Sequence, residues 1–347
     1  MRVAVFEGPG RVVTTTRPEP ELSAGDVLVE VLAAGVCGTD VRIYKGEHRA
    51  ARPGRVPGHE VIGRVIRAAG PLPPAIAVDD AVFVAPNIGC GWCRWCGRGQ
   101  ENLCPNGEAI GITLDGGFAE RLVVPARAVR RGNLVSLGTA SAGAVLAEPL
   151  ACVLRGQAKL NLAAGESVLV CGGGPVGLLH VALAKARGAG LVICSEPTAG
   201  RRQAALKAGA HQVCEPAVLP DLVDGLTGGA GVDIVITAAP VPGLQAQALE
   251  LAATGGRVLL FGGLAKSNST VALDTNLIHY KELTVVATTA SALEDCRAAV
   301  GLIEAGLIDV SWMVSDRYDL DQFDQAIARA ADSAGLKVVV IPGGEGK

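Results

Sequence analysis

The sequence predicts an α/β chain of two domains, a compact, mostly antiparallel β-barrel followed by a doubly wound parallel sheet. Three observations predict it. The chain has 347 residues, more than one hydrophobic core usually serves. The first half carries short apolar runs cut by Gly and Pro, as in strands joined by tight turns. From about Glu148 onward, apolar runs alternate with helical stretches, as in successive βαβ units.

In chain order, the first half offers VAVF (3–6), VLVEVLAAGV (27–36), VIGRVIRAAG (61–70), AVFVAP (81–86) and FAERLVVP (118–125). The second half reads SVLVCGGG (167–174), a helix over 175–189, LVICSE (191–196) and a helix around 201–210. VDIVITAAP (232–240), a helix around 244–254 and GRVLLFGG (256–263) follow. These later strands are apolar throughout, which fits strands covered on both faces. The tail adds a helix over 293–306 and a last strand, KVVVIPGG (337–344). No internal repeat or low-complexity linker interrupts the pattern.

Composition excludes several classes. Hydrophobic residues make up 49%, yet no run reaches the roughly 18 to 20 apolar residues of a membrane span. The start, MRVAVFEGPGRVV, is broken too early by Glu7, Gly8 and Pro9 for a signal peptide. A cytoplasmic protein with no membrane partner is expected. The net charge of −3 and the lack of a basic block argue against nucleic acid. In that compartment the ten cysteines should be thiols or metal ligands. Cys152, Cys171, Cys194, Cys214 and Cys296 sit among apolar neighbours and read as small buried hydrophobes.

Four others are clustered. CGWCRWCGRGQENLC places Cys90, Cys93, Cys96 and Cys104 at gaps of 2, 2 and 7. Four thiolates close a tetrahedral Zn²⁺ with no open position, so this ion would be structural. A zinc ribbon of a binding module reads the same way, but such a module calls for a basic face.

Gly172, Gly174 and Gly177 form G-x-G-x-x-G between an apolar strand and a helix. In that context the motif binds dinucleotides. The first Gly makes the turn, the second admits the pyrophosphate, and the third lets helix pack on strand. The helix N-terminus, starting at Pro175 and Val176, faces the phosphates. Glu196 lies 19 residues after Gly177, where an acidic residue binds the ribose hydroxyls. It favours NAD over NADP, although Arg201 and Arg202 nearby could accept a 2′-phosphate. The FGG turn, Phe261, Gly262 and Gly263, ends a strand where such sheets bind ligands.

Cys37 lies in AAGVCGTDVRIYKG, after a strand, and PGHE brings His59 and Glu60 22 residues later. Singly, these read as a buried thiol, a loop histidine and a surface charge. Together with CGTD (37–40), GHE (58–60), the cysteine lobe (90–104), GGFAE (116–120), EPLAC (148–152) and GGGPVG (172–177), they form an ordered series. In that series the chain resembles the zinc-dependent medium-chain dehydrogenase/reductase family, most closely its polyol (sorbitol-like) and threonine dehydrogenase branch.

The resemblance spans essentially the whole chain and implies the following. A GroES-like catalytic barrel comprises residues 1–149 with 288–347, and a Rossmann domain comprises 150–287. Each subunit would carry two Zn²⁺ and bind NAD. Cys37, His59 and Glu60 would hold the catalytic zinc, with Glu148 ligating it or holding a water or substrate beside it. Three protein ligands and an exchangeable position suit a zinc that activates an alcohol for hydride transfer to nicotinamide. Thr39 would relay the proton, with His48 able to extend the path. Tyr44 and Phe118 would line the substrate pocket. Val176 and Arg201 would touch the cofactor, and the VATTA segment with Thr288 and Thr289 would meet the carboxamide. Polyol relatives carry an Arg-Tyr pair where this chain has Thr288 and Thr289, which puts sorbitol itself in doubt. The expected reaction is oxidation of a secondary alcohol, polyol or cyclitol to its ketone; the alternative is L-threonine 3-dehydrogenase or another amino-alcohol oxidation. Relatives are dimers or tetramers, and the sheet edge near 270–285 is the expected contact.

Overall fold

The computed structural model describes residues 1–48, 51–332 and 335–344, and the chain divides into Met1–Ala151 with Ala290–Lys347, and Cys152–Thr289. Each division lies two residues past the expected boundary. Among the described residues, no helix is long and apolar enough to cross a membrane.

The first unit opens with β1 (Arg2–Gly8), β2 (Arg11–Thr16), β3 (Val27–Val36), α1 (Gly38–Tyr44), β4 (Glu60–Ala68) and β5 (Ala81–Val84). Next come β6 (Asn87–Ile88), β7 (Glu108–Ala109), β8 (Arg121–Val124), α2 (Ala126–Arg131) and β9 (Leu134–Ser136). Helix α3 (Ala147–Ala158) leads to the second unit. That unit runs β10 (Ser167–Cys171), α4 (Pro175–Ala186), β11 (Leu191–Ser195), α5 (Ala199–Lys207), β12 (Gln212–Cys214) and α6 (Leu219–Thr227). It finishes with β13 (Val232–Thr237), α7 (Pro242–Leu251), β14 (Ala252–Leu260), α8 (Thr275–Tyr280) and β15 (Thr284–Ala287). The chain then returns to the first unit through α9 (Leu293–Glu304), β16 (Val314–Tyr318), α10 (Phe323–Ala331) and β17 (Lys337–Val340).

In the first unit, β1 and β2 form a hairpin, and a seven-stranded sheet runs β16-β17-β3-β4-β5-β9 with β8 also on β3. Its pairings are antiparallel except β16 with β17. Strand β3 is buried along most of its length, which explains its nearly unbroken apolar run. Pairing on β3 is dense because β4, β8 and β17 share it. The strand expected from Phe118 begins only at Arg121; before it, Ala119 makes an isolated bridge to Val3.

Phe118 requires a correction. It is fully buried in the core of this unit, its ring 4.8 Å from that of Phe323 in an edge contact. Gly58, with φ of +100°, packs against the same ring. A ring enclosed in this way anchors the GGFAE turn and does not wall a substrate pocket. The sequence clue misled because a Phe in a Gly-rich turn looks exposed.

The second unit is a six-stranded parallel sheet in the order β12-β11-β10-β13-β14-β15. This is the 3-2-1-4-5-6 order of a dinucleotide-binding sheet, with its reversal between β10 and β13. Strands β12 and β15 and helices α6 and α8 were not legible as elements. They are short, and QVC or TVVA alone carries too few apolar residues to announce a strand.

One buried polar group in this unit has a measurable consequence. His180 of α4 is fully buried, its ring edge-on to Phe261 at 4.6 Å. Gln157 Nε2 donates to the His180 carbonyl at 2.9 Å and lies 3.3 Å from Nδ1. Burial, then the charge of Arg187, push its pKa down to about 3. The unfolded imidazole protonates near 6.5, so between those values the unfolded state binds the extra proton. Stability is therefore lost as pH falls through that window, by on the order of 4 kcal/mol at its acid end. Urea unfolding from pH 7 to pH 4 should show a shallower acid loss in His180→Leu than in the parent. Equal slopes would contradict the assignment.

Candidate functional site

Two groups of metal-ligand side chains assemble in the first unit. The first is the cysteine lobe. The sulfurs of Cys90, Cys93, Cys96 and Cys104 all lie within 4.8 Å of one another. Cys93 Sγ is 3.7 Å from Cys104 Sγ, and Cys90 Sγ is 4.0 Å from Cys96 Sγ. A tetrahedron with metal–sulfur bonds of about 2.3 Å has sulfur–sulfur edges of about 3.8 Å, so the four thiols fit Zn²⁺. Burial raises the Cys90 pKa, but the amides of Trp92 and Cys93 outweigh it and bring the thiol down to about 6. The amide of Cys96 leads the same downward shift at Cys93. The loop is tied down by Glu101, whose Oε1 accepts the Leu293 N–H at the start of α9 at 2.9 Å. Gly89 is required beneath it, because a Cβ there would crowd Cys96 Sγ and Glu101.

The second group is Cys37, His59 and Glu60, again within 4.8 Å. Cys37 is the N-cap of α1 and its N–H donates to Asp40 Oδ2 at 2.9 Å. Asp40 Oδ1 stands 3.6 Å from His59 Nδ1, an ion-pair distance beyond hydrogen-bond range. Asp40, His59 and Glu60 are all buried. Among the described residues His59 Nδ1 and Glu60 Oε1 have no hydrogen-bond partner, and Glu60 Oε2 faces the Lys337 ammonium. Buried acceptors without donors are costly, and a thiol, an imidazole and a carboxylate form a donor set suited to zinc. The residues present therefore fit a metal. Burial lowers the His59 pKa, but Asp40 and then Cys37 reverse this and raise it well above the ordinary value. Concentrated negative charge, the same property that attracts a cation, is the cause.

Sequence reasoning missed two contributors. Asp40 lay inside the CGTD motif with no role given to it. Lys337 opens the apolar run KVVV and looks like an exposed strand start. It is instead 3% exposed, its Nζ paired with Glu60 Oε2 and donating to the Val36 carbonyl at 3.0 Å. Desolvation lowers its pKa, but Glu60, then Cys37, raise it overall, so it stays charged.

The other expected residues divide. Glu148 is buried in the first turn of α3 but does not join the three-donor cluster. Thr39 is half-buried on α1, Tyr44 packs partly on the core of the unit, and His48 is half-buried. In the second unit, Gly172 has φ of +111° and Gly174 is the N-cap of α4 with Pro175 next. A Cβ on Gly177 would collide with the Gly172 carbonyl, so only Gly lets this helix close on its strand. Beside Gly174 the space is open as far as Arg201 Nη1, at 3.8 Å from an added Cβ. The first amides of α4, including Val176 and Gly177, lack intrahelical acceptors and suit an anion.

Glu196 is 4% exposed; its Oε2 accepts the Gly173 N–H at 2.7 Å and its Oε1 the Thr198 N–H at 2.9 Å. Arg202 donates to the Glu196 carbonyl at 2.9 Å and pairs with Glu215 at 2.9 Å. The Gly262 N–H donates to the Thr237 carbonyl at 2.8 Å, setting the turn Phe261, Gly262 and Gly263. Thr288 has a buried hydroxyl with no partner among the described residues, and Thr289 is exposed. These residues fit a dinucleotide: free helix amides, an open cradle at Gly174 and a carboxylate beside it.

Residues 23–132 match the alcohol dehydrogenase GroES-like domain, and residues 175–305 match the zinc-binding dehydrogenase model. The chain is 37% identical over 320 residues to an L-threonine 3-dehydrogenase of Pyrococcus furiosus, covering 88% of each. It is 30% identical to a sorbitol dehydrogenase of Bacillus subtilis over 355 residues, covering 99% of this chain and 97% of the other. A crystal structure from Sinorhizobium meliloti 1021, described as a zinc-binding dehydrogenase bound to NADP, superimposes with a TM-score of 0.90. It is 34% identical and the match covers 98% of this chain and 99% of that one.

Two variant sets test the two metal groups. Cys93→Ala should lower the melting temperature and remove one bound zinc, whereas Cys37→Ser should melt within a few degrees of the parent and lose turnover. A Cys93→Ala protein with unchanged melting but no activity would contradict this division. Lys337→Met strands Glu60 and should cost about 3–5 kcal/mol in metal-free protein. Thermal melts with and without zinc should then show a larger zinc-induced rise in the variant than in the parent. An equal rise would show that Lys337 and a cation do not share Glu60.

Proposed function

The chain belongs to the zinc-dependent medium-chain dehydrogenase family, and from that premise we propose that it oxidises a polyol, sugar alcohol or cyclitol to the ketone with NAD. The observation that carries this reading is the trio Cys37, His59 and Glu60, with orphaned buried donor atoms on two members. Three protein donors leave one position for a substrate oxygen. Bound there, Zn²⁺ supplies Lewis acidity that lowers the pKa of an alcohol, and NAD supplies the hydride acceptor.

The chain's own residues do the rest. Cys37 and His59 hold the ion, with Asp40 keeping the imidazole oriented. Glu60 serves as a third donor that Lys337 also claims. Thr39, the second residue of α1, accepts the alcohol proton and passes it toward His48 and solvent. Glu148 orients a second hydroxyl or a water, and Tyr44 bounds the substrate. The amides of Val176 and Gly177 bind the pyrophosphate, with Gly172 and Gly174 giving it room. Glu196 accepts the adenosine ribose hydroxyls. Arg201, Phe261 and the turn Gly262 and Gly263 line the nucleotide, and Thr288 and Thr289 meet the carboxamide. The same reading includes a cytoplasmic homodimer or homotetramer, supported by the partly exposed edge strand β15.

Similarity to the Pyrococcus threonine dehydrogenase favours a second reading, oxidation of an amino alcohol such as L-threonine. A screen of NAD reduction at 340 nm over polyols, cyclitols and amino alcohols decides between them. We expect turnover with polyols or cyclitols, lost on chelation while circular dichroism is unchanged. Turnover of threonine alone would install the second reading. Full activity after removal of the labile zinc would sink both.

A further inference from the structure

A cleft of about 640 Å³ lies in the first unit. Arg17, Arg52, Arg55 and Arg121 line it, and Asp115 is the single carboxylate among the lining residues. Leu114, Leu122 and Val123 are among its apolar lining residues. Asp115 holds the arginines loosely, at 3.7 Å from Arg17 and 3.9 Å from Arg55, both beyond hydrogen-bond length. Arg121 is engaged by Glu30, and Arg52 has no carboxylate partner among the described residues. Guanidinium charge therefore exceeds carboxylate charge on a surface with apolar floor. Guanidiniums bind phosphate and carboxylate through paired N–H groups, and the floor accommodates an apolar body.

The cleft is also wired to the zinc ligands. Asp115 Oδ1 accepts the Val56 N–H at 3.0 Å. The following residues continue as a zipper: Gly116 N–H to the Val56 carbonyl at 2.8 Å, Phe118 N–H to Pro57 at 3.1 Å, and Gly117 N–H to Gly58 at 2.8 Å. His59 and Glu60 come next in the chain. An anion that draws Arg17 and Arg55 away from Asp115 acts on the segment that leads into both ligands.

We propose that this cleft is a binding site for an organic anion with an apolar body and a phosphate or carboxylate head, and that its occupancy alters the segment carrying His59 and Glu60. The site is separate from the proposed alcohol and nucleotide sites, and its binding arm does not depend on which alcohol is oxidised.

The test is calorimetric titration of zinc-loaded, NADH-saturated protein with phenyl phosphate; NADH blocks the dinucleotide site. Benzoate tests a carboxylate head, and inorganic phosphate and phenol each supply half of the ligand. We expect one site per chain for phenyl phosphate or benzoate, with each half-ligand binding roughly tenfold more weakly or less. Arg52→Gln, which breaks no ion pair seen in the fold, should weaken binding roughly tenfold and leave the melting temperature unchanged. Bound ligand should also change the rate at which a chelator strips the labile zinc. Should Arg52→Gln fail to fold, Arg17→Gln takes its place. Absence of millimolar binding, or binding indifferent to both substitutions, overturns the site; binding with no change in zinc release overturns the coupling.

Discussion

The three-donor cluster depends on the hydrogen-bond register of β3 with its two neighbours. Antiparallel pairing sets Gly35 of β3 opposite Glu60 of β4, and Val36 opposite Val338 of β17. Cys37 leaves β3 one residue later, His59 precedes β4, and Lys337 opens β17. Three segments distant in sequence thus deliver a thiol, an imidazole, a carboxylate and an ammonium to one point. A slip of one residue would send Glu60 to the opposite face of the sheet. Gly35 is what lets the strands close around these groups. A Cβ there would collide with Glu60 Oε2 and Lys337 Cε.

Charge balance follows from that placement. With a metal bound as proposed, a Cys37 thiolate would join the buried Asp40 and Glu60 carboxylates to make three negative charges, against one positive charge on Lys337. Two negative charges remain, the number that a divalent cation neutralises. Buried charge is tolerated only when paired, and without a metal His59, whose pKa is raised beside Asp40, and Lys337 beside Glu60 provide that pairing. The cysteine lobe reaches the same balance differently, with four thiols and backbone amides and no fixed counter-charge. One group therefore is closed on itself, and the other leaves a position for a ligand.

Local motifs were legible because their chemistry is written in short spacings. The gaps of the cysteine lobe and the glycines of the nucleotide turn each specify a shape that few other residues permit. Cys37 and the His59–Glu60 pair became readable only as part of an ordered series. Lys337 was not readable at all. Its burial arises from strand order, which places β17 beside β3, and nothing in KVVVIPGG announces that. Phe118 failed for the converse reason: its turn looks exposed, but tertiary packing against Phe323 encloses it. Short elements such as β12 and α8 escaped because a handful of residues gives no period to detect.

The proposed preference for NAD rests on a single carboxylate, Glu196. A carboxylate offers about four lone-pair positions, and the amides of Gly173 and Thr198 occupy two. In the proposed reading the others accept from the hydroxyls of the adenosine ribose of NAD. A 2′-phosphate provides no donor at neutral pH and adds negative charge against a buried carboxylate. Of the two amides that hold Glu196, that of Gly173 belongs to the phosphate turn, between Gly172 and Gly174, and that of Thr198 belongs to the residue that caps the start of α5. Arg202 is already committed to the Glu196 and Pro197 carbonyls and to Glu215. The proposed pyrophosphate turn and the proposed ribose acceptor are thus joined by one hydrogen bond, so a substitution at Glu196 that removes its carboxylate also removes a contact that holds the turn.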